Sequence, residues 1–292
     1  MSSTRTIAIV GAGLVGTPIA RALLNAPTKP KVIILTRPES SGKALPDDIS
    51  SIATIPVDYS DVAAVTKVFK DHSVDVVVST LPTAGFEAQY SLANAAQASG
   101  TIKLFVPSEW GIPTEGAKAN GEDNFFAKKD EFVEHLKSIK LPFTRFYTGF
   151  FFGGLRWIAG IEENGKVNTY GKGESKFSAT SESDIGGYTA HVLTALPLDS
   201  PHLVNKSLRL EGDRINFQDL ARIYGKPLAY VPDGEKLPGS TDGEIFFRTY
   251  LQVEAEAGRA SSGWNRKAGK DDGTAGSTNG LWEGHVWDKV QA

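Results

Sequence analysis

The run Gly11-Ala12-Gly13-Leu14-Val15-Gly16 lies between a β-rich stretch, Thr6 to Val10, and an apolar-periodic stretch, Leu14 to Asn25. Three glycines at that spacing on a strand-to-helix turn suit a pyrophosphate. Gly11 permits the tight turn, Gly13 lets the phosphates approach the backbone, and Gly16 lets the helix pack closely on the strand. Leu14 and Val15 complete the turn, and the helix N-terminus offers free N–H groups and the positive end of its dipole. A glycine-rich turn without a ligand is the competing reading. The surrounding strand–turn–helix–strand context weighs against it.

The end of the second strand selects among dinucleotides. An NAD site places Asp or Glu there, against the ribose 2′-hydroxyl. This chain has Thr36 and Arg37, with no acid between strand and turn. The guanidinium of Arg37 matches a 2′-phosphate in a planar, charge-assisted fork, and Lys43 adds a point charge. Arg37 as a solvated loop residue is the bland alternative, and Glu39, two residues on, keeps NAD open. The expected cofactor is NADP(H).

Groups for the chemistry itself are fewer. No tyrosine has lysine four residues on, and Phe125 stands where Lys129 would need that phenol. No His-Glu-x-x-His pattern suggests a metal, and no Gly-x-Ser-x-Gly elbow suggests a hydrolase. Without cysteine, thiolate metal sites and thiol nucleophiles are excluded. Ligands of open α/β sheets bind beyond the carboxyl ends of the strands. Asp58, Ser79, Thr80 and Ser108 are therefore expected near the cofactor, and Glu109 and Trp110 near a substrate. Each of the polar ones serves equally well as a turn cap. Phe150 and Phe151 fit an aromatic-friendly substrate pocket or an apolar core.

The segment Leu104-Phe105-Val106-Pro107-Ser108-Glu109-Trp110-Gly111 resembles the strand-end motif of the isoflavone reductase and pinoresinol–lariciresinol reductase family, which usually has Phe where Trp110 stands. Leu141-Pro142-Phe143-Thr144 resembles that family's Ile-Pro-Tyr-Thr signature, and Ser183-Asp184-Ile185-Gly186 its Asp-Asp-Ile-Gly segment. The resemblance runs from about residue 5 to about residue 225 and extends to the broader NmrA-like group of atypical short-chain dehydrogenases. It implies that Lys129, thirteen residues before Pro142, is the active-site lysine, also close to the cofactor. It further implies an NADPH-dependent reductase acting on a small aromatic or conjugated substrate. Two rivals remain: an NADP(H)-binding redox-sensing regulator acting through a protein partner, and an NADPH–quinone reductase on the same scaffold. By charge pattern alone, Lys128 and Lys129 read as a solvated helix face. Beside a nicotinamide and a partly apolar pocket, a lysine's pKa would fall, suiting it to exchange a proton with a substrate oxygen.

The elements that must position these residues alternate through the first half of the chain. Strands are expected at Thr6–Val10, Val32–Thr36, Ala53–Val57, Asp75–Ser79, Lys103–Val106 and Phe143–Tyr147. Helices are expected at Leu14–Asn25, from Asp61 to Asp71, at Ala88–Ser99 and at Glu122–Ile139. Pro18 is a mild objection to the first helix. The alternation implies a Rossmann-type, doubly wound parallel sheet in an α/β protein. A Rossmann domain over residues 1–150 is followed by a smaller substrate-binding lobe over 151–292, interleaved with it. In that lobe, Ser183–Leu196, Phe217–Tyr224 and Thr241–Ala257 read as helices and Leu208–Leu210 as a strand. The tail beyond Gly258 is rich in Gly and Ser, yet Trp264, Trp282 and Trp287 demand packing partners.

A net charge of −3 provides no broad positive field for nucleic acid or anionic lipid. No apolar run is long enough to span a bilayer. The expectation is a cytoplasmic protein with a small-molecule substrate and no nucleic-acid or membrane partner, with a homodimer left open.

Overall fold

The computed structural model describes residues 4–40, 42, 44–232 and 234–292. Lys43 lies outside the described residues. The first half contains β1 (Thr6–Val10), α1 (Gly16–Asn25), β2 (Lys31–Thr36), β3 (Ala53–Pro56), α2 (Val62–Asp71), β4 (Val76–Ser79), α3 (Ala88–Ser99), β5 (Leu104–Val106), α4 (Phe125–Ser138) and β6 (Thr144–Tyr147). The second half contains β7 (Phe150–Phe151), α5 (Leu155–Ile158), α6 (Ile161–Asn164), β8 (Val167–Tyr170), β9 (Phe177–Thr180), α7 (Glu182–Ala195) and β10 (Lys206–Arg209). After these come β11 (Asp213–Ile215), α8 (Phe217–Ile223), β12 (Leu228–Val231), α9 (Asp242–Glu256), β13 (Trp264–Asn265) and β14 (Lys270–Asp271).

Local chemistry explains several boundaries. Asp61 caps α2 by accepting from the Ala64 N–H at 2.9 Å, and Asn124 caps α4 by accepting from Phe126 and Ala127. Both carboxylate and amide oxygens satisfy donors that the first helical turn leaves over. Pro18 falls in the first turn of α1, where its missing N–H costs no helical bond. The α4 helix begins three residues later than the sequence suggests, because Asn124 takes the capping position.

The chain forms two compact units, and it passes between them several times. The first comprises residues 1–110, 116–146 and 185–208; the second comprises 111–115, 147–184 and 209–292. In the first, five strands form a parallel sheet in the order β3-β2-β1-β4-β5. Ile7 to Val10 and Ile33 to Leu35 are fully buried on successive positions, as expected where helices cover both faces of a parallel sheet. On one face, Phe69 of α2, Leu92 of α3 and Phe132 and Leu136 of α4 pack with Val77 and Phe105 of the sheet. The sixth expected strand departs from the sequence reading. Phe143, just before β6, bridges to Phe105 of β5, whereas the sheet partner of β6 itself is β10.

In the second unit, β9 pairs antiparallel with β11 and parallel with β7, and β8 pairs parallel with β12. The tail is ordered on this unit. The Trp282 and His285 rings stack at 3.6 Å, and Trp287 meets both edge-on. His285 Nε2 lies 2.7 Å from the buried carboxylate of Asp184. Among the described residues, no helix is long and apolar enough to cross a membrane.

Candidate functional site

The glycine turn shows a different constraint at each glycine. Gly11 has φ +93°, a conformation that L side chains rarely adopt. A Cβ on Gly16 would lie 2.2 Å from the Gly11 carbonyl oxygen, so this position must be bare for α1 to approach β1. A Cβ on Gly13 would meet nothing within 4 Å. The backbone there faces open space that a side chain would fill. No side chain caps the N-terminus of α1, whose N-cap is Val15. Leu14 projects beside it, 59% exposed. Bare backbone, an uncapped helix end and an exposed apolar side chain together form a cradle that fits a pyrophosphate and its attached ring systems.

Beyond the ends of β2 and β3 lies a cavity of about 470 Å³ lined by Arg37, Glu39, Asp58, Tyr59, Ser60 and Glu87, among others. Arg37 Nη1 is 3.2 Å from the Glu39 carboxylate, and both side chains are mostly exposed. Asp58 accepts from the backbone N–H and the hydroxyl of Ser60, which hold its carboxyl below the usual range. It thus closes the turn and lines the cavity at once. Tyr59, which sequence reasoning passed over, donates to the Leu35 carbonyl at 2.8 Å, and burial raises its phenol. The Thr36 hydroxyl is buried at the same strand end with no hydrogen-bond partner. A pocket with a guanidinium at its mouth suits the 2′-phosphate and base of NADP(H).

The ends of β1, β4 and β5 are connected one to the next. The Thr80 hydroxyl lies within hydrogen-bond distance of the carbonyls of Val10, at 3.1 Å, and Gly11, at 2.9 Å, so it props the glycine turn from beneath. Ser108 donates its hydroxyl to the Leu81 carbonyl and its N–H to Gln89 Oε1. Gln89 on α3 had no signature in the sequence, since an amide is recognisable as a strand-end prop only once the helix is placed. Ser79 is fully buried, and its carbonyl accepts from the indole N–H of Trp110 at 2.8 Å. The Trp110 ring is 7% exposed and stacks on Phe146, with backbone φ +31°.

Lys129 closes this chain of contacts. Its Nζ donates to the backbone carbonyl of Glu109 at 2.5 Å and lies 5.0 Å above the Phe125 ring. Burial pushes the ammonium below the usual lysine range, and the charge of Glu109 opposes that shift. Lys128, its neighbour, is exposed. The Glu109 carboxylate turns inward to Arg145 at 3.4 Å. Phe150 and Phe151 belong to the second unit, where Phe150 packs on Phe177 at 5.0 Å. Among the described residues, no group of three His, Asp or Glu side chains is placed to hold a metal ion.

A model of the NmrA-like family matches residues 3–242. An oxidoreductase of Botryotinia fuckeliana is 30% identical over 244 residues, covering 78% of this chain and 75% of that protein. A phenylcoumaran benzylic ether reductase of Ginkgo biloba is 26% identical over 261 residues, covering 81% of each. The structure of the binary complex of leucoanthocyanidin reductase with NADPH from Vitis vinifera superposes with a TM-score of 0.71. It has 22% identity and covers 98% of this chain and 96% of that one, a likeness of fold.

Proposed function

The chain belongs to the NmrA-like family, and from that premise we propose that it is an NADPH-dependent reductase. It acts on a small aromatic or conjugated organic substrate. Its relatives named as an oxidoreductase and a benzylic ether reductase support this reading, as does the NADPH complex of a structural neighbour.

The observation that carries the proposal is the continuous set of contacts from the glycine turn through Thr80, Leu81 and Ser108 to Glu109 and Lys129. It supports the reading because the Lys129 ammonium, partly desolvated, touches the end of β5, in the same row of strand ends as the glycine turn. When bound, NADPH supplies the hydride, the reaction that the protein's own groups cannot perform. The open backbone at Gly13 and the uncapped end of α1 hold the pyrophosphate. Arg37 holds the 2′-phosphate, and Leu14 covers apolar surface beside the turn. Lys129 holds a proton at Nζ and exchanges it with a substrate oxygen. A lowered pKa suits that task, because an acid or base works best when its pKa lies near the working pH.

The test is NADPH oxidation measured across a panel of enones, quinones and phenolic benzylic ethers, alongside a fluorescence titration of NADPH binding. Turnover of one class with tight NADPH binding is the expected result. Tight binding with no turnover across the panel would favour a redox-sensing regulator. Absence of binding would sink both readings.

A further inference from the structure

The Glu109–Lys129 contact adjoins a buried ionic bridge that the proposed reaction leaves unused. Arg145 on β6, only 3% exposed, lies between two carboxylates. Its Nη2 donates to Asp130 Oδ1 at 2.8 Å, and its Nε is 3.4 Å from Glu109 Oε1. Glu109 is 2% exposed and Asp130 is 7% exposed. Asp130 follows Lys129 on α4, and its Oδ2 accepts from the backbone N–H groups of Gly116 and Lys118 at 3.0 and 3.2 Å. Arg145 therefore joins three elements: the strand that carries it, the end of β5 and the turn of α4 that presents Lys129.

Stability alone does not account for such a bridge. Burying charges costs desolvation that their attraction roughly offsets, and apolar replacements of similar volume often serve as well. The arrangement makes sense by its effect on its neighbour. Lys129 and Arg145 are positive, and Glu109 and Asp130 are negative, so the cluster is balanced only with Arg145 present. The groups that face the Lys129 ammonium are Glu109 from the end of β5 and the Phe125 ring from its own helix. Lys128 and Asp130 are its chain neighbours.

We propose that Arg145 is a positioning residue for Lys129. It offsets the negative charge of Glu109 and Asp130 beside the ammonium, and it fixes α4 so that Nζ meets the Glu109 carbonyl. The inference rests on the reductase reading, in which Lys129 handles the proton, and specifies what sets that lysine's charge.

Competitive acetylation with acetic anhydride over a pH series, read by mass spectrometry on the full chain, reports the Lys129 midpoint without any substrate. Arg145→Gln removes the offsetting cation, so the midpoint should rise by about one pH unit. Glu109→Gln removes the anion but keeps the bond to Lys129, which is made to the main-chain carbonyl. The midpoint should fall by about as much. Shifts of opposite sign support the proposal, because a role in packing alone would not produce them. Unchanged midpoints, or shifts in the same direction, overturn it. If Arg145→Gln fails to fold, Arg145→Met, nearer in volume and also uncharged, takes its place: a rise in the midpoint supports the proposal and no change overturns it. NADPH fluorescence titration of the parent protein tests the reductase reading separately. Failure to bind would end that reading while the labelling still decides the role of Arg145.

Discussion

Arg37 meets any incoming phosphate already engaged with Glu39 at 3.2 Å. Because the two side chains are 62% and 64% exposed, that pair contributes little and is readily displaced. Arg37→Ala should weaken NADPH binding roughly 10- to 150-fold, as expected for loss of a charge-assisted bond worth about 1.5–3 kcal/mol. NADH affinity should hardly change. Glu39→Gln frees the guanidinium and should tighten NADPH binding a few-fold at low salt, an advantage that high salt screens away. Fluorescence titration of both cofactors checks the pair of variants, and equal affinities for NADPH and NADH in the parent would refute the assignment. For Lys129, replacement by methionine should cost roughly 100- to 10,000-fold in turnover and leave NADPH bound, whereas exposed Lys128→Ala should match the parent. Stability supplies a second check on the same lysine. Burial lowers its pKa from the ordinary 10.5, so the unfolded chain binds that proton more tightly and the parent gains stability as pH rises towards 10.5. Lys129→Met lacks this penalty, so its advantage over the parent should be largest near neutral pH and narrow upward. Urea unfolding at several pH values would show it, and a constant difference would count against the partly desolvated ammonium.

At the scale of elements, the glycine turn and α1 divide their duties between two glycines that look alike in the sequence. Gly13→Val should abolish dinucleotide binding with little change in melting temperature, since its Cβ would enter open space rather than protein. Gly16→Ala should do the reverse in order of severity, destabilising the fold first, because its Cβ would fall 2.2 Å from a carbonyl oxygen that cannot retreat without moving β1. Thermal denaturation paired with NADPH titration separates these outcomes. A Gly13→Val protein that is folded and binds normally would place the cofactor elsewhere. The cap of α2 offers a purely structural comparison: Asp61→Ala should cost about 1 kcal/mol and leave binding alone.

At the scale of the whole molecule, the last thirty-odd residues are part of the second unit's structure rather than an appendage. Arg266 is buried, donating to the Pro113 carbonyl at 2.6 Å and to Glu254 at 3.0 Å. The backbone N–H groups of Asp288 and Val290 donate to Asp184 and Asp213. Hydrogen exchange should therefore find the Asp288 and Val290 amides protected well above the exposed stretch at Lys267–Gly269, because exchange there requires detaching the tail. Random-coil rates at both amides would mean that the tail does not dock.

The sequence by itself determined what depends on short separations. The glycine triplet, the absence of an acid at Thr36, the cap at Asp61 and the alternation of strand and helix are each read within one turn or one strand, and backbone sterics alone give them meaning. The parallel sheet follows from the same alternation for five of its expected strands, whereas the sixth, Phe143–Tyr147, pairs with β10 instead. The resemblance in Leu104 to Gly111 and Leu141 to Thr144 singled out Lys129, whose charge pattern is otherwise that of a solvated helix face. Tertiary structure decided the rest. Glu109, Asp130 and Arg145 come from a loop, a helix and a strand, and no spacing rule pairs them; only packing puts three charges together out of water. Trp110 reads as a candidate for contact with a substrate, yet its N–H is engaged with the Ser79 carbonyl and its ring lies on Phe146. The strands of the second unit run two to four residues, and β7, β8 and β9 pair with partners far along the chain. Segments that short carry almost no periodic signal, and their pairing is settled by which surfaces remain to be covered once the helices have packed.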